Sequence, residues 1–310
     1  MTRYKIIVNP ISGRGAGAQS VEPIRQELDA HQLDFELVLT EQPWHAVELA
    51  RQAVQAGFGA VVAVGGDGTA NEVINGLMLA QQQGLGQAAM GHLPVGRGND
   101  YGFGIGVPME IPEGCQVLAN DRRLRIDVGL VTGGLFPQGR YFGNGVGIGF
   151  DAVVGFEAVK LKWLTGFPSY IVAALKTIFL YYKAPLVQLE YDGQSIQAPA
   201  LMVSVMNGRR LGGGFMLAPD GRINDGRFDL TLAREVSRPA IFALLFKFMA
   251  GTQAGHPAIM IDQAARIKVT ALKGILPAHA DGETLCIDST ELSLEIIPQA
   301  LEVLTELPEN

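Results

Sequence analysis

The stretch AVVAVGGDGTANEV, residues 60–73, decides the fold class of this 310-residue chain. Its first five residues are all apolar, as is typical of a strand buried on both faces of a parallel sheet. A glycine loop follows at once, and apolar residues at helical spacing then predict a helix over about Ala70–Leu79. A buried strand that passes through a short glycine loop into a helix is the unit from which parallel α/β sheets are built.

The same alternation of strand and helix fills the first 125 residues. Strands are predicted at Tyr4–Val8, Phe35–Thr40 and His92–Val95, and helices at Val21–His31 and Ala46–Gln55. We therefore predict an α/β domain over residues 1–125, with a Rossmann-like parallel sheet and right-handed crossovers.

Beyond residue 125 strands dominate the pattern. Gly, Asp and Asn turns separate seven predicted strands, at Ile126–Val131, Tyr141–Gly147, Val187–Tyr191, Ala200–Val205, Phe228–Leu232, Ile267–Thr270 and Leu292–Ile297. Two long apolar segments with several aromatic residues, Phe156–Tyr182 and Arg238–Gly251, predict helices laid over a sheet. We predict a mainly antiparallel β-sandwich domain over residues 126–310, whose last residues could pack back on the first domain.

Composition excludes several classes of protein. The formal charge is 24 − 31 = −7, which argues against a nucleic-acid partner. Cys115 and Cys286 lie in no metal-binding or disulfide pattern, so we expect both to be reduced in a cytoplasmic protein. No apolar run has the length of an export signal or a membrane span, and we expect neither.

Three glycine-rich loops follow predicted parallel strands, at Asn9–Gly17, Gly65–Val73 and Gly96–Asp100. Main-chain amides in such loops bind anions, and three loops at one sheet edge indicate a polyphosphate ligand. In the second loop we expect Thr69 to cap the helix, with Glu72 completing a capping box. For the carboxylate of Asp67, in contrast, no structural role is evident from the sequence.

Two better-known nucleotide signatures fit less well. A P-loop of the form GxxxxGK[ST] does not occur in the chain. GRGAGA, residues 13–18, satisfies the dinucleotide pattern GxGxxG/A, but four residues separate it from the preceding strand. A Rossmann-type dehydrogenase therefore remains a weak alternative.

The chain resembles a known family through seven motifs taken together. They are NPISGRGAG, GGDGTANEVINGL, LPVGRGNDYGFGIGVP, RIDVG, YFGNGVGIGFDA, APDGRINDGRFDL and HADGETL. In order and spacing it resembles the diacylglycerol kinase family of lipid kinases, in particular its soluble bacterial members, and is more distantly similar to sphingosine kinases and NAD kinases. The resemblance runs from Asn9 to about Leu285. It implies that ATP and a lipid meet in a cleft between an α/β domain and a β-sandwich domain.

The resemblance also implies roles for individual residues. Nucleotide contacts would come from Asn9, Ser12, Thr40, Gly65, Gly66, Asp67, Gly68, Thr69, Ala70 and Asn71. Arg97 stands where the family usually has Thr, but its guanidinium could still neutralise phosphate. Glu283 would be the general base, with Asp281 beside it, and Asp67 is a rival for that role.

Two magnesium sites are implied in the same way. Asp67, Asp100 and Asp127 match aspartates that hold Mg²⁺ through water, and Asp225 with the backbone oxygens of Arg222 and Arg227 matches a structural Mg²⁺ site. Carboxylate and carbonyl oxygens suit such a hard cation.

The sequence therefore predicts a cytoplasmic, ATP- and Mg²⁺-dependent lipid kinase that makes phosphatidic acid from diacylglycerol. Aromatic residues and lysines in 156–182 suggest transient contact with a membrane surface. Phosphatidylglycerol or a sphingoid base as acceptor, a non-catalytic nucleotide-binding regulator and an NAD kinase remain alternatives, and a homodimer stays open.

Overall fold

The structure is a computed structural model that describes residues 2–161, 167–180 and 184–308. The chain forms two compact units, Met1–Asp127 with Gln299–Asn310, and Val128–Pro298. The change of pattern along the sequence predicts this division at residue 125. The chain thus leaves the first unit after Asp127 and re-enters it at Gln299.

The first unit alternates strands and helices. Its elements are β1 (Arg3–Val8), α1 (Ala16–Ala30), β2 (Asp34–Leu39), α2 (His45–Gln55), β3 (Ala60–Gly65), α3 (Asp67–Gln82), β4 (Ala89–Pro94), α4 (Asp100–Gly104) and α5 (Ile111–Asn120). Parallel pairing gives the strand order β2-β1-β3-β4. This confirms the predicted parallel α/β fold.

Burial explains why the central strand is so apolar. All six residues of β3 are buried, because β1 and β4 flank it and helices cover the sheet. Ile6, Val8, Val62 and Val64 pack in one cluster with Leu93 of β4. Burying each such side chain contributes roughly 1.5–3 kcal/mol, so the packing of helices such as α1 and α5 on the sheet stabilises this unit.

The second unit is built from antiparallel strands. They are β5 (Arg123–Gly133), β6 (Phe136–Phe142), β7 (Gly145–Gly149), β8 (Leu186–Tyr191), β9 (Gln194–Met206), β10 (Phe228–Arg234), β11 (Ile259–Ala264), β12 (Arg266–Lys273), β13 (Leu276–Ala280), β14 (Glu283–Ser289) and β15 (Glu291–Leu304), of which β5 and β15 extend into the first unit. One sheet has the order β14-β13-β7-β9-β10-β11, and β8, β12 and β15 continue from the first half of β9. The predicted antiparallel sandwich is confirmed.

Three helices accompany these strands, α6 (Phe150–Lys160), α7 (Phe167–Leu180) and α8 (Arg238–Ala250). Helices α7 and α8 lie within the two apolar segments that predicted helices, whereas α6 begins at Phe150, before the first of these segments. No helix within the described ranges is long and apolar enough to cross a membrane. Cys115 and Cys286 are buried free thiols, and burial raises the pKa of Cys115 to about 12.

Several elements differ from the sequence prediction. The strand predicted over Tyr141–Gly147 is in fact two strands, because Gly143 and Asn144 turn between β6 and β7. The short helices α4 and α5 and the strands β11 and β13 were not predicted. Glycines interrupt the two helices, and β11 and β13 have only six and five residues, so none of them left a clear periodicity in the sequence.

Candidate active site

Parallel pairing brings the predicted nucleotide residues to one edge of the first unit. Thr40 follows β2, the loop that begins at Asn9 follows β1, Gly66 follows β3, and the loop at Gly96 follows β4. Since these four strands are parallel neighbours, their carboxyl ends meet at the same edge. The edge is therefore a surface made largely of loop backbone.

Side chains of the first loop hold the second loop in place. The Asn9 amide nitrogen donates to the Thr69 hydroxyl at 3.1 Å, and the Asn9 main-chain N–H donates to the Val64 carbonyl at 3.0 Å. The Ser12 hydroxyl accepts the main-chain N–H of Gly66 at 3.0 Å. Asn9 and Ser12 thus order the second loop.

The expected capping box at Thr69 is wrong. Helix α3 begins at Asp67, and its N-cap residue is Gly66, which makes no side-chain capping bond. Thr69 is therefore the third residue of the helix. The Glu72 carboxylate instead accepts the main-chain N–H of Ala46 at 3.1 Å, which ties α3 to α2.

The second and third loops touch through their glycines. A Cβ on Gly96 would lie 2.2 Å from the Gly66 Cα, closer than any real side chain comes to backbone. The Val95 N–H also donates to the Gly65 carbonyl at 2.9 Å. Asn99 closes the third loop on itself by accepting the Gly96 N–H at 2.9 Å. Only glycine allows this spacing.

Asp67 has a structural partner that the sequence did not reveal. Its carboxylate accepts the main-chain N–H of Tyr101 at 2.8 Å, at the start of α4. This bond links the second and third loops across 34 residues of sequence. The expectation that the Asp67 carboxylate has no structural role is therefore wrong.

The residues of the second loop differ in their access to solvent. Thr69, Ala70 and Asn71 are buried in α3, whereas Gly66, Asp67 and Gly68 are partly exposed. Arg97 in the third loop is exposed. A phosphate at this edge would meet residues 66–68 and Arg97 first, and Thr40 is also partly exposed there.

His92, in β4, supports the loop edge through a hydrogen bond, and this role was not predicted from the sequence. Its Nε2 lies 3.2 Å from the Gly65 carbonyl, and because a carbonyl only accepts, Nε2 must carry the proton. Burial lowers the pKa of this imidazole to about 4. His92 is therefore a neutral donor that holds Gly65 in place.

Some of the aspartates predicted to hold magnesium are buried, and some already accept a hydrogen bond. Asp100 and Asp127 are both buried, and Asp127 accepts the main-chain N–H of Gln299 at 2.7 Å. Across the described ranges, no three His, Cys, Asp or Glu side chains come together as a metal-binding group. Direct coordination by all three aspartates is thus not seen, and binding through water stays a prediction.

In the second unit, a tight hairpin carries the predicted acids. Asp281 and Gly282 join β13 to β14, with φ of +48° and +83°. The Asp281 carboxylate accepts three main-chain N–H groups, from Gly143 at 2.8 Å, Asn144 at 3.0 Å and Gly145 at 2.9 Å. Asp281 is buried. It therefore ties the hairpin to the loop before β7.

Glu283 is placed very differently from Asp281. It is the first residue of β14, pairs with Ala280 and is partly exposed. Among the described residues its carboxylate has no hydrogen-bond or ion-pair partner. It is the acid of this hairpin that remains available to a ligand.

The predicted structural cation site is an exposed turn of the same unit. Arg222, Asp225 and Arg227 are all exposed, and the Asp225 carboxylate accepts the Arg227 N–H at 3.1 Å. Burial, and then the negative charges of Asp225 and Asp220, raise the pKa of Asp229 nearby. A carboxylate, main-chain carbonyl oxygens and a negative field suit a hard cation such as Mg²⁺.

The segment predicted to touch a membrane is only partly described. Lys160 and Lys176 both donate to Glu157, at 2.5 and 2.6 Å, and these bonds lower the pKa of that carboxyl. Tyr170 packs on the apolar clusters of this unit. The remaining aromatic and basic residues on which the prediction was based lie outside the described residues or have undescribed side chains, namely Lys162, Trp163, Phe167, Phe179, Tyr181, Tyr182 and Lys183.

Solved structures share this pair of folds, a parallel α/β unit and an antiparallel sandwich. The chain aligns with a solved diacylglycerol kinase from Bacillus anthracis with a TM-score of 0.73 and 20% identity, covering 98% of this chain and 97% of that one. Yeast NADH kinase complexed with NADH gives a TM-score of 0.52 at 11% identity, covering 99% and 84%. These likenesses establish the fold.

Two family models match the chain. Residues 3–131 match the diacylglycerol kinase catalytic domain, and residues 144–305 match the YegS C-terminal NAD kinase beta sandwich-like domain. The chain therefore belongs to the diacylglycerol kinase family, and the suspected resemblance is confirmed.

Curated relatives extend over most of the chain. A diacylglycerol kinase of Bacillus subtilis is 28% identical over 91% of this chain and 90% of its own length. One from Staphylococcus haemolyticus is 26% identical over 90% and 81%. Membership of this family supports a kinase activity and implies that the chain binds a nucleotide.

Proposed function

We propose that this protein transfers the γ-phosphate of ATP to the hydroxyl of diacylglycerol, which yields phosphatidic acid and ADP. The observation that carries the proposal is the edge of the first unit, where three interlocked glycine loops present backbone to an anion. The name shared by the Bacillus subtilis and Staphylococcus haemolyticus relatives supports diacylglycerol as the acceptor.

The triphosphate would bind over the exposed part of the second loop. Gly68 and Asp67 lie in the first turn of α3, where amide groups and the helix dipole favour an anion. The Gly66 N–H is already bonded to Ser12, so it would need to exchange partners to reach a phosphate. Arg97 would replace the usual Thr of the family with a positive charge.

Glu283 would act as general base. In the transfer, the lipid oxygen forms a bond to the γ-phosphorus as the bond from that phosphorus to the bridging oxygen of ADP breaks. The Glu283 carboxylate would take the proton of the lipid hydroxyl. Asp67 remains the rival, but its carboxylate already accepts the Tyr101 N–H, and that of Asp281 accepts three amides.

Magnesium would be held in two places. Asp67, Asp100 and Asp127 would hold one ion through water, and Asp225 with the carbonyls of Arg222 and Arg227 would hold a second, structural ion. When bound, the first ion would neutralise charge on the phosphates.

We place the enzyme in the cytoplasm. Because its acceptor is a lipid, the enzyme would have to contact a membrane surface. Helix α8 supports this contact, because Phe242 and Phe246 are 46% and 55% exposed on its outer face and their ring centroids lie 5.1 Å apart. Arg238 is exposed at the start of the same helix. Exposed aromatic side chains beside a cation are typical of helices that lie in a bilayer interface.

Incubation of the purified protein with ATP, Mg²⁺ and diacylglycerol in mixed micelles tests the proposal directly. We expect the lipid to gain one phosphate by mass spectrometry. Phosphatidylglycerol, a sphingoid base and NAD, offered in separate reactions, distinguish the other kinases. ATP binding without phosphorylation of any acceptor would contradict the proposal and indicate a regulatory nucleotide-binding protein.

A further inference from the structure

A tryptophan at the loop edge of the first unit adopts a backbone conformation that is unfavourable for a bulky side chain. Trp44 follows β2 and is the N-cap residue of α2, with φ of +68° in the left-handed region. Eight non-glycine residues of the described ranges have a positive φ, and four of them are Asn or Asp, which tolerate it best. Trp44 is the only aromatic residue among the eight. Glycine would adopt this conformation without strain, and residues that carry such strain cluster at functional sites.

The Trp44 side chain is accessible from solvent, and the segment that carries it is ordered by hydrogen bonds. Trp44 is 40% exposed. Before it, the Thr40 N–H donates to the Val8 carbonyl at 2.8 Å, which holds the segment against the end of β1. The Glu41 N–H donates to His45 Nδ1 at 3.1 Å, which closes the segment on itself. The aromatic ring is therefore attached to a backbone whose course is fixed without a ligand.

Helix α2 lies tightly against α3, which begins in the second glycine loop. The Ala46 N–H donates to the Glu72 carboxylate at 3.1 Å, and a Cβ on Gly76 would lie 2.4 Å from the Val47 carbonyl oxygen. Only β1 separates β2 from β3. Since neighbouring strands lie about 4.8 Å apart, the ends of β2 and β3 are about 10 Å apart. The ribose and α-phosphate of a nucleotide bridge a distance of that order.

Charge along the loop edge distinguishes one part that suits phosphate from another that does not. Arg14 in the first loop and Arg97 in the third are exposed, and they follow β1 and β4, the strands on the two sides of β3. Residues 40–44, after β2, include no cation and one exposed carboxylate, that of Glu41. Phosphates are attracted to guanidinium groups and repelled by a carboxylate. The β2 end of the edge is therefore left for the uncharged part of a nucleotide.

We infer that Trp44 stacks on the base of the nucleotide, with the phosphates over the second loop and the base at the β2 end of the loop edge. Any planar base can stack on an aromatic ring, and a purine covers more of the indole than a pyrimidine does because it has two fused rings. The ligand class is a purine nucleoside triphosphate. This inference rests on the proposed function, since it assumes a nucleotide at the loop edge, and it adds a residue that determines base preference.

Tryptophan fluorescence tests the inference without altering Trp44. The chain contains two tryptophans, Trp44 and Trp163, so W163F leaves Trp44 as the only indole. We expect ATP and GTP to quench the emission of W163F in a saturable manner, and tripolyphosphate to leave that emission unchanged. Unchanged emission at ATP concentrations where calorimetry shows ATP to be bound would overturn the inference.

The variant W44G then measures how much the ring contributes to affinity. Because glycine accepts a φ of +68°, the variant should be at least as stable to heat as the wild type, so a loss of affinity would not reflect a loss of fold. We expect calorimetric titration to give about tenfold weaker binding of ATP and unchanged binding of tripolyphosphate, since stacking on an aromatic ring is worth roughly that factor. W44F restores an aromatic ring and should recover most of the ATP affinity. Equal ATP affinity of W44G and the wild type, or an equal loss for tripolyphosphate, would contradict the inference.

The matched control is Q32G. Gln32 has a φ of +55° and lies in the turn before β2, at the other end of that strand from Trp44. Q32G makes the same change of backbone freedom without removing an aromatic ring, and it should leave the affinities for ATP and tripolyphosphate unchanged. A loss of ATP affinity as large as that of W44G would show that the ring is not responsible and would reject the stacking.

Assays of phosphorylation separate this inference from the proposed function. Saturable quenching of Trp44 by ATP, without phosphorylation of any lipid, would reject the kinase proposal and leave the stacking in place. Phosphorylation of diacylglycerol by a protein whose ATP affinity does not depend on Trp44 would reject only the stacking.

Discussion

The loop edge of the first unit and the Asp281–Glu283 hairpin of the second carry the predicted chemistry in different ways. At the loop edge, main-chain groups form the surface, and side chains such as Asn9 and Ser12 serve to hold them. At the hairpin, side chains carry the chemistry, and two acids two residues apart have different roles. Asp281 is occupied by backbone amides and Glu283 has no described partner. Similar residues thus differ through the backbone that surrounds them.

The largest expected effect separates the two acids of the hairpin. Glu283→Gln should lower kcat about 10²–10⁴-fold, the range for loss of a general base, and leave ATP affinity unchanged. Steady-state kinetics with separate ATP titrations measure both quantities. Asp67→Asn is the matched comparison, and a larger loss of kcat there, with Glu283→Gln active, would transfer the role of base to Asp67.

The next effect tests the backbone contact at the loop edge. Gly96→Ala places a Cβ 2.2 Å from the Gly66 Cα, so one loop must move. Overpacking of this kind costs roughly 1–3 kcal/mol, and ATP affinity should fall about tenfold to a hundredfold. Calorimetric titration with an ATP analogue measures it.

A control for this variant lies in helix α6. Gly155→Ala meets no atom closer than 3.9 Å and should leave nucleotide affinity unchanged. Unaltered ATP affinity in Gly96→Ala would show that the spacing of the loops is not needed for binding.

Asp281→Asn tests the structural role of the other acid. An amide oxygen cannot replace both carboxylate oxygens as acceptors for Gly143, Asn144 and Gly145. We expect the free energy of unfolding to fall by about 2–3 kcal/mol, measured by urea denaturation. Glu283→Gln should not change that free energy, and equal losses in both variants would contradict the contrast between the two acids.

A smaller effect depends on pH and concerns His92 beneath the loop edge. Its pKa is about 4 in the folded protein against 6.5 when unperturbed, so between these values the unfolded chain binds a proton that the folded protein does not. Stability is therefore complete above pH 6.5 and falls as the pH drops towards 4. At pH 5 the loss from this group is about 2 kcal/mol.

Urea denaturation of the wild type and of His92→Gln at pH 7 and pH 5 measures that loss. The variant should lose less stability between the two pH values, because Gln does not titrate. Equal pH dependence of the two proteins would show that His92 is not the group responsible.

The smallest effect concerns the outer face of α8. Replacing both Phe242 and Phe246 with Ser should weaken binding to lipid vesicles about tenfold, since each half-exposed ring would bury only part of its surface in the interface. Vesicle sedimentation measures binding, and kcat on a short-chain soluble diacylglycerol should not change. Unchanged sedimentation would remove α8 from the proposed membrane contact.

The comparison of the two regions also shows what sequence reasoning can reach. The glycine loops were predicted because each follows an apolar strand, and local spacing is enough to place them at one sheet edge. The capping box at Thr69 failed because α3 begins earlier, at Asp67. His92 was not predicted, since a single polar residue in an apolar strand looks the same in the sequence whether or not folding brings it a partner.

Periodicity and glycine spacing are local properties, so the order of residues alone determined the parallel sheet, the antiparallel sandwich, the three loops and the family. Which carboxylate remains available to a ligand depends on residues that are far apart in the sequence. Tyr101 meets Asp67 across 34 residues, and Gly143 meets Asp281 across 138. Only tertiary structure decides such meetings, because a carboxylate becomes a structural acceptor or an available base according to the amides that folding places beside it.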